Sequence, residues 1–305
     1  MLKLDANSRE KFKAGYVAVV GKPNVGKSTF LNTMIKFKLS AISPKPQTTR
    51  HKILGILNGE NYQILFLDTP GIMEKPRHEL DKWLLKRAFE AIEDADVIVM
   101  MAEPEKPDEL DMEIVNKIKE SGKPAILLIN KVDTIDKKLV LPVIDAYAKT
   151  EAFKEIIPVS VLENINLDVT LEKIVELLPE SPPFYPEDAI TDRNERFLVQ
   201  EIIREKLFLL YGEEIPYSAA VEIEEFREQD EAHGGKDYIR AVIHVEKDSQ
   251  KKIIIGKNGD KIKKLGTISR REIEAFLGRP VYLELWVKVS EKWRHKPGFI
   301  KEIGY

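Results

Sequence analysis

The stretch Gly21-Lys22-Pro23-Asn24-Val25-Gly26-Lys27-Ser28-Thr29 brings together two glycines, a lysine and a pair of hydroxyls. Glycine at 21 and 26 allows backbone conformations that a Cβ would obstruct, so successive N–H groups can converge on one anion. Lys27 can reach the β- and γ-phosphates of a nucleotide, and the Ser28 hydroxyl can ligate magnesium. About forty residues on, Asp68-Thr69-Pro70-Gly71 offers a carboxylate for magnesium, held through water, and a glycine N–H for the γ-phosphate. Farther along, Asn130-Lys131-Val132-Asp133 can read a base. A carboxylate accepts two hydrogen bonds from the N1–H and exocyclic amine of guanine, whereas adenine has an acceptor at N1 and no 2-amino group. Each cluster alone is a common turn. Their order and spacing together imply a guanine nucleotide site.

The elements that must position these clusters are legible on either side of them. Tyr16–Val20 is apolar and β-branched, and Phe30–Ile35 is helix-like, so the first cluster joins a strand to a helix N-terminus that favours phosphate. Ser40–His51 is polar and proline-bearing and reads as a long exposed loop. The runs Ile53–Leu57 and Tyr62–Leu67, joined by Asn58-Gly59-Glu60-Asn61, predict a hairpin. Helix-like Leu80–Ile92 and Asp108–Glu120 then alternate with strand-like Val97–Met101 and Ala125–Ile129. A last strand, Ile156–Val159, leads to Ser160, where a backbone N–H could meet the guanine carbonyl, and Leu167–Leu178 closes the series as a helix. This alternation predicts an α/β domain over residues 1–180, a mostly parallel sheet with helices on both faces. Ligands of such sheets bind at the carboxyl ends of the strands.

The set resembles the ordered motifs of a translation-factor-class P-loop GTPase. That resemblance implies hydrolysis of GTP to GDP and phosphate with a Mg2+ cofactor. Carried onto this sequence, Asn24, Val25, Gly26, Lys27, Ser28, Thr29, Thr48, Thr49, Asp68 and Gly71 would surround the phosphates, and Asn130, Lys131, Asp133, Ser160 and Val161 the base. Ser28 and Thr49 would ligate magnesium directly and Asp68 through water, with Thr48 a rival for the switch role. Lys27, Thr49, Gly71 and Asn24 make up the implied catalytic set. Two positions depart from the family pattern. Val161 follows Ser160 where alanine is usual, and Ile72 follows Gly71 where Ras-like proteins carry a water-orienting glutamine. A hydrophobic side chain cannot orient water by hydrogen bonding. In the subclass with Pro-Asn-Val-Gly in this loop, the asparagine can hold a potassium ion. Asn24 is therefore either a ligand for an activating K+ or a residue that only shapes the loop.

Composition sets the outer limits. The chain of 305 residues is long enough for two domains, and 43% hydrophobic with 32% charged residues describes a soluble globular protein. No apolar run approaches the roughly 18 residues of a membrane span, and the N-terminus lacks the apolar core of a signal peptide. Without cysteine there is no disulfide framework and no thiolate metal site. These features fit a cytoplasmic protein. The net charge of −3 divides into +8 over residues 251–305 and −11 over the rest, which suits a polyanionic partner or a solvated basic surface.

Four prolines in Pro179–Pro186 predict a stiff, extended linker, assigned to 181–190 between the first domain and a second at 191–305. This linker and the switch loop are the two places where motion is expected. Beyond it the order is a helix (Glu195–Tyr211), two strands (Tyr217–Phe226, Tyr238–Glu246), two helices around Gly256-Lys257-Asn258-Gly259, and a strand (Pro280–Val289). That order and loop resemble an α+β type II KH domain, in which the glycines let the backbone approach the sugar-phosphate of single-stranded RNA. The implied RNA-binding residues are Ile253, Gly256, Lys257, Asn258, Gly259, Lys261, Lys263, Lys264 and Arg270. Trp293, Arg294 and His295 can stack on bases or pack into the core.

A GTPase domain followed by one KH domain, with Gln47-Thr48-Thr49-Arg50-His51 in the switch loop, resembles the Era-like family of bacterial GTPases. The resemblance implies a monomeric assembly factor of the small ribosomal subunit that binds near the 3′ end of its RNA. It further implies a cytoplasmic location, with some relatives peripheral on the inner membrane. Two other classes stay open. A membrane-linked signalling GTPase is permitted by the basic excess, though no amphipathic anchor is visible. A P-loop kinase is opposed by Asn130–Asp133.

Overall fold

The computed structural model describes residues 11–43, 45, 48–51, 53–212 and 214–303. Pro44, Pro46 and Gln47 of the expected switch loop lie outside the described residues. The chain divides into two compact units. The first takes in residues up to Leu39, Lys52–Glu74 and Lys86–Asp192, and the second Ser40–His51, Lys75–Leu85 and residues from Arg193 onward.

In the first unit, β1 (Lys13–Val20) is buried on both faces, as a strand of a helix-covered parallel sheet must be. It pairs in parallel with β3 (Tyr62–Asp68) and β4 (Val97–Ala102). β5 (Ala125–Ile129) and β6 (Glu155–Pro158) continue the parallel sheet, and β2 (Ile53–Asn58) lies antiparallel to β3 in the expected hairpin. The order is β2-β3-β1-β4-β5-β6. Register sets Val19 against Asp68, Ala102 against Ile129 and Ile129 against Pro158. The loops that begin at Gly21, Thr69, Asn130 and Val159 therefore leave the sheet at one end.

Helices α1 (Lys27–Ile35), α2 (Glu79–Asp94), α3 (Glu109–Ser121) and α5 (Leu167–Leu177) match the helical periodicity of the sequence. α4 (Lys137–Ala148) has no counterpart among the expectations. Its run Leu139-Val140-Leu141-Pro142-Val143 lacks a clear apolar stripe, and a proline lies inside it. Asp136 caps it by accepting from the Lys138 N–H at 2.9 Å. Val140, Val143 and Tyr147 turn inward at helical spacing, while Leu139 and Leu141 stay exposed.

The proline-rich stretch bends at 184–185 and turns at 187–188, where Ala189 donates its N–H to Pro186 O at 3.0 Å, and it lies along β2, the edge strand of the first sheet. Ile56 donates its N–H to Ile190 O at 2.8 Å and Thr191 donates its hydroxyl to Leu54 O at 2.7 Å. The Gln63 amide accepts from the Phe184 and Tyr185 N–H groups and donates to Tyr185 O.

The second unit contains α6 (Glu195–Leu210), α7 (Ile215–Ser218), β7 (Ala220–Asp230), β8 (Lys236–Val245), α8 (Asp248–Ile255), α9 (Asp260–Leu277), β9 (Val281–Val289) and α10 (Pro297–Glu302). β8 is central, antiparallel to β7 and parallel to β9, which is an edge strand. Val199, Ile203 and Leu207 of α6 share one core with Ile239, Ile243, Leu265 and Ile273. The strand expected from Tyr217 starts at Ala220, because Pro216 suits the first turn of α7 instead.

One sequence reading is corrected here and another is decided. Ser40–His51 is not an exposed loop along its length: Thr48, Thr49, Arg50 and His51 are all buried. Its charges are matched by backbone carbonyls and by α6, as set out below. Of the two readings left open for Trp293, core packing is the one observed. It is fully buried with Leu80, Leu84, Ala220 and Ile300, and its indole N–H donates to Ser218 O at 2.8 Å.

Candidate nucleotide and RNA sites

At the carboxyl end of β1 the backbone turns through Gly21 (φ 145°), Asn24 (φ 65°) and Gly26 (φ 105°). A Cβ on Gly21 would stand 2.3 Å from Met101 O, so only glycine fits that corner. Lys27 is buried behind the loop and donates to Gly21 O at 3.0 Å and Lys22 O at 2.7 Å. Burial pulls its ammonium down to about 8, while the nearby Asp68 carboxylate opposes that fall. Lys22 ties the loop to α3 through Asp108 and Asp111, at 2.5 and 2.7 Å.

Ser28, in the first turn of α1, donates its hydroxyl to Asp68 Oδ2 at 2.9 Å. A hydroxyl meeting a buried carboxylate offers hard oxygen donors that suit magnesium. Thr69 fastens the end of β3 to β1 through Val19 O, at 2.7 Å. Gly71 then passes so close to the loop that a Cβ would lie 2.7 Å from the Pro23 backbone. Ile72 donates its N–H to Gly21 O at 3.1 Å, and its side chain is fully buried.

Asn130 is a brace between loops. Its amide donates to Val25 O at 2.8 Å and accepts from the Val161 N–H at 3.1 Å. Lys131 pairs with Glu103. Asp133 is exposed and carries no hydrogen bond or ion pair among the described residues. Ser160 is buried, with its N–H directed to Ile165 O at 3.4 Å and its hydroxyl accepting from the Glu163 N–H. Asn24 through Thr29, Asp68, Gly71, Asn130–Asp133, Ser160 and Val161 all belong to the first unit. Thr48 and Thr49 belong to the segment that packs in the second. There the Thr48 hydroxyl donates to Lys45 O at 2.7 Å and lies 3.1 Å from Ser43 Oγ.

The second unit holds the other candidate site. Gly256 (φ 76°) and Gly259 (φ 78°) bracket the loop between α8 and α9, with Asn258 also at positive φ. A Cβ on Gly256 would meet Asp260 Oδ1 at 2.2 Å, whereas one on Gly259 would find only Ile262 Cγ2 at 4.0 Å. Gly259 thus opens onto free space that a ligand backbone can approach. Lys257, Lys261, Lys263 and Lys264 are exposed, as is Ile253 on α8. Between α9 and the edge strand β9 runs a groove of about 360 Å³, lined by Ile262, Lys263, Gly266, Thr267, Arg270 and Leu285 among others. Arg270 is steadied by Glu274, at 2.9 and 3.1 Å. Gly266, Thr267 and Leu285 were not among the sequence candidates. A glycine inside an 18-residue amphipathic helix was the available signal, because it costs about 1 kcal/mol unless its smallness is used.

Comparison with known proteins identifies both domains. Residues 16–131 match the family described as 50S ribosome-binding GTPase, and residues 214–294 match the KH domain family. The chain is 46% identical over 295 residues to GTPase Era of Clostridium botulinum, covering 96% of this chain and 98% of that protein. It is 47% identical over 298 residues to GTPase Era of Halothermothrix orenii, covering 96% and 99%. A crystal structure of Era with MgGDPNP and nucleotides 1506–1542 of 16S ribosomal RNA overlays with a TM-score of 0.93 at 46% identity, covering 96% and 99%. An Aquifex aeolicus Era structure bound to GDP and aluminium fluoride gives 0.92 at 45% identity, with the same coverage. With near full-length identity far above the level at which families diverge, and with both domains in the same order, this chain belongs to the Era family of GTP-hydrolysing enzymes.

Proposed function

We propose that the chain hydrolyses GTP in its first unit and binds the 3′ end of small-subunit ribosomal RNA in its second, and so serves assembly of the small ribosomal subunit in the cytoplasm. The observation that carries this is the groove between α9 and β9 beside Gly256–Gly259. It lies in a chain whose fold matches, at a TM-score of 0.93, a relative holding MgGDPNP and 16S RNA.

Within the first unit, the N–H groups of Val25 through Thr29 would cradle the β- and γ-phosphates, and Lys27 would turn from carbonyl oxygens to phosphate oxygens. Ser28 would hold magnesium directly and Asp68 through water, exchanging their mutual hydrogen bond for the ion. Magnesium, when bound, supplies positive charge against the β- and γ-oxygens. The Gly71 N–H would hold the γ-phosphate, and Thr49 would complete the site when GTP is present. Because Ile72 is buried and apolar, it cannot align the attacking water. The exposed Asn24 is the candidate K+ ligand beside the phosphates. Asp133, exposed and unpaired, would read guanine, while Asn130 holds the loops in place.

In the second unit, Gly256, Asn258 and Gly259 would admit the RNA backbone. Lys257, Lys261, Lys263, Lys264 and Arg270 would offset its phosphates, and the groove with Ile253 nearby would take bases. The protein would act as a monomer. The same basic excess over 251–305 would support peripheral contact with an anionic inner membrane, and no helix among the described residues is long and apolar enough to cross one.

Binding of the full chain to an oligonucleotide matching the 16S 3′ end, with GDP and with a non-hydrolysable GTP analogue, tests this reading. Tight binding that falls at least tenfold in Gly259→Asp supports it. No binding in either nucleotide state removes the RNA function and leaves a GTPase with a different partner.

A further inference from the structure

The α9 wall of the groove is basic, through Lys263 and Arg270, while the β9 wall carries a carboxylate. Glu284 stands on the edge strand between Leu283 and Leu285, and it is the acidic residue among the described side chains that line the groove. A negative charge there opposes phosphate, so attraction for an RNA backbone gives no reason for it.

The neighbouring strand accounts for part of its hydrogen bonding. Register sets Arg240 of β8 opposite Glu284, and the Arg240 Nε–H donates to Glu284 Oε2 at 3.2 Å. Arg240 also faces Glu225 at 3.7 Å, so it does not depend on Glu284 for a counter-charge. The Tyr238 hydroxyl donates to the same Oε2. This Tyr238 hydrogen bond holds the Glu284 carboxyl below its usual range against the opposing effect of burial, and Arg240 and the Trp286 indole add to that hold. The group is therefore an ionised acceptor with a fixed orientation. A carboxylate has about four acceptor sites, and three donors leave one for the groove.

A fixed acceptor sorts single-stranded bases by their edges. Cytosine and adenine carry an exocyclic amine, N4 or N6, that can donate to it. Uracil places the O4 acceptor there, which a carboxylate repels. Guanine presents two donors side by side and needs both oxygens, one of which Tyr238 and Arg240 already hold. We propose that Glu284 is a specificity-determining residue of the groove, accepting a hydrogen bond from the exocyclic amine of one cytosine or adenine and rejecting uracil at that place. This rests on the RNA reading of the groove given above.

Glutamine at 284 keeps the shape and reverses the chemistry. Tyr238 and Arg240 both donate, so the amide oxygen must turn to them and the NH2 takes the place of the open oxygen. The test measures binding of the full chain to the 16S 3′-end oligonucleotide. In a series of analogues, the amine of each cytosine or adenine is removed in turn, with 2-pyrimidinone replacing cytosine and purine replacing adenine. In the wild type one such removal should weaken binding by at least about tenfold, the worth of a hydrogen bond to a charged group. Uridine at that place should cost at least as much, and the sensitive analogue identifies the base as cytosine or adenine. In Glu284→Gln, with an unchanged melting curve, the penalty at that place should disappear.

Removals that all stay below about tenfold in the wild type overturn the proposal, as does a penalty that survives in Glu284→Gln. A uniform gain in affinity for every oligonucleotide in Glu284→Gln also overturns it, because the carboxylate would then only repel phosphate. A wild type with no affinity for the parent oligonucleotide overturns instead the RNA reading on which the proposal rests.

Discussion

Lys27 donates a 2.7 Å hydrogen bond to the carbonyl oxygen of Lys22, curling back onto the loop it is expected to share with phosphate. Burial pulls its pKa to about 8 from 10.5. The folded, nucleotide-free protein therefore releases this proton near pH 8, whereas the unfolded chain keeps it to about 10.5. The unfolded state binds more protons across that window, so this lysine makes stability rise with pH from about 8 to 10.5. Polyphosphate reverses the balance by raising the pKa in the complex. Nucleotide affinity is expected to be flat below pH 8 and to weaken above it by up to about tenfold per unit. Calorimetry at pH 8.5 in two buffers of different ionisation enthalpy should register proton uptake on binding, and no uptake would reject the assignment.

The two glycines of the α8–α9 loop should separate stability from RNA affinity. Gly256→Ala meets both a positive φ and a carboxylate oxygen at 2.2 Å, so it should cost about 1–3 kcal/mol and lower Tm. Gly259→Asp shares the positive φ, which aspartate tolerates better than most residues, but meets no close atom, so it should shift Tm less, while its charge and bulk repel the RNA backbone. Melting curves and RNA titrations on the same preparations check this. Equal loss of stability in both variants would contradict it.

Asp133 and Asn130 share a motif and differ in what they do. Asp133→Asn should leave folding within about 0.5 kcal/mol, because the carboxylate is exposed and without a partner among the described residues. Two hydrogen bonds to a charged group are worth about 3 kcal/mol or more, so GTP affinity should fall roughly 10²-fold. Xanthosine triphosphate, with a carbonyl where guanine has its amine, should bind better than to the wild type. Asn130→Ala should instead weaken all nucleotides and lower Tm, because it releases both Val25 O and the Val161 N–H. Fluorescent-nucleotide titration distinguishes the two.

The candidate nucleotide cradle was legible because each of its residues depends on its neighbours in sequence. Gly21, Asp68 and Asn130 stand at strand ends, where periodicity breaks, parallel pairing brings those ends together, and Ser28 follows in the first turn of α1. What was not legible depends on distant partners. Glu201, Arg204, Glu205 and Lys206 look like a solvated helix face, yet all four are buried. Arg50 and His51 look like loop residues for the same reason, since only the fold supplies three carbonyls for one and a neighbouring Glu201 for the other. Burial holds His51 down to about 4, so it sits neutral in that cluster. Helix α4 was hidden by its own leucines, both of which face water. For the groove, the lysines around Gly256–Gly259 pointed to the neighbouring loop, but the β9 side came from pairing that the sequence does not display.

Asn24 has two readings that one substitution separates. Its φ of 65° lies in the left-handed region, which asparagine tolerates better than most residues and glycine tolerates fully. Asn24→Gly therefore keeps the loop conformation and removes the side-chain oxygen, whereas Asn24→Ala removes the oxygen and strains the loop. If Asn24 ligates an activating ion, wild-type turnover should be several-fold faster in potassium than in sodium at matched ionic strength. Asn24→Gly should then lose that difference while retaining nucleotide affinity. If the residue only shapes the loop, Asn24→Gly should turn over as the wild type does, and Asn24→Ala alone should lose affinity. Steady-state phosphate release in the two salts, on all three proteins, decides between them. Equal wild-type rates in potassium and sodium would discard the ion.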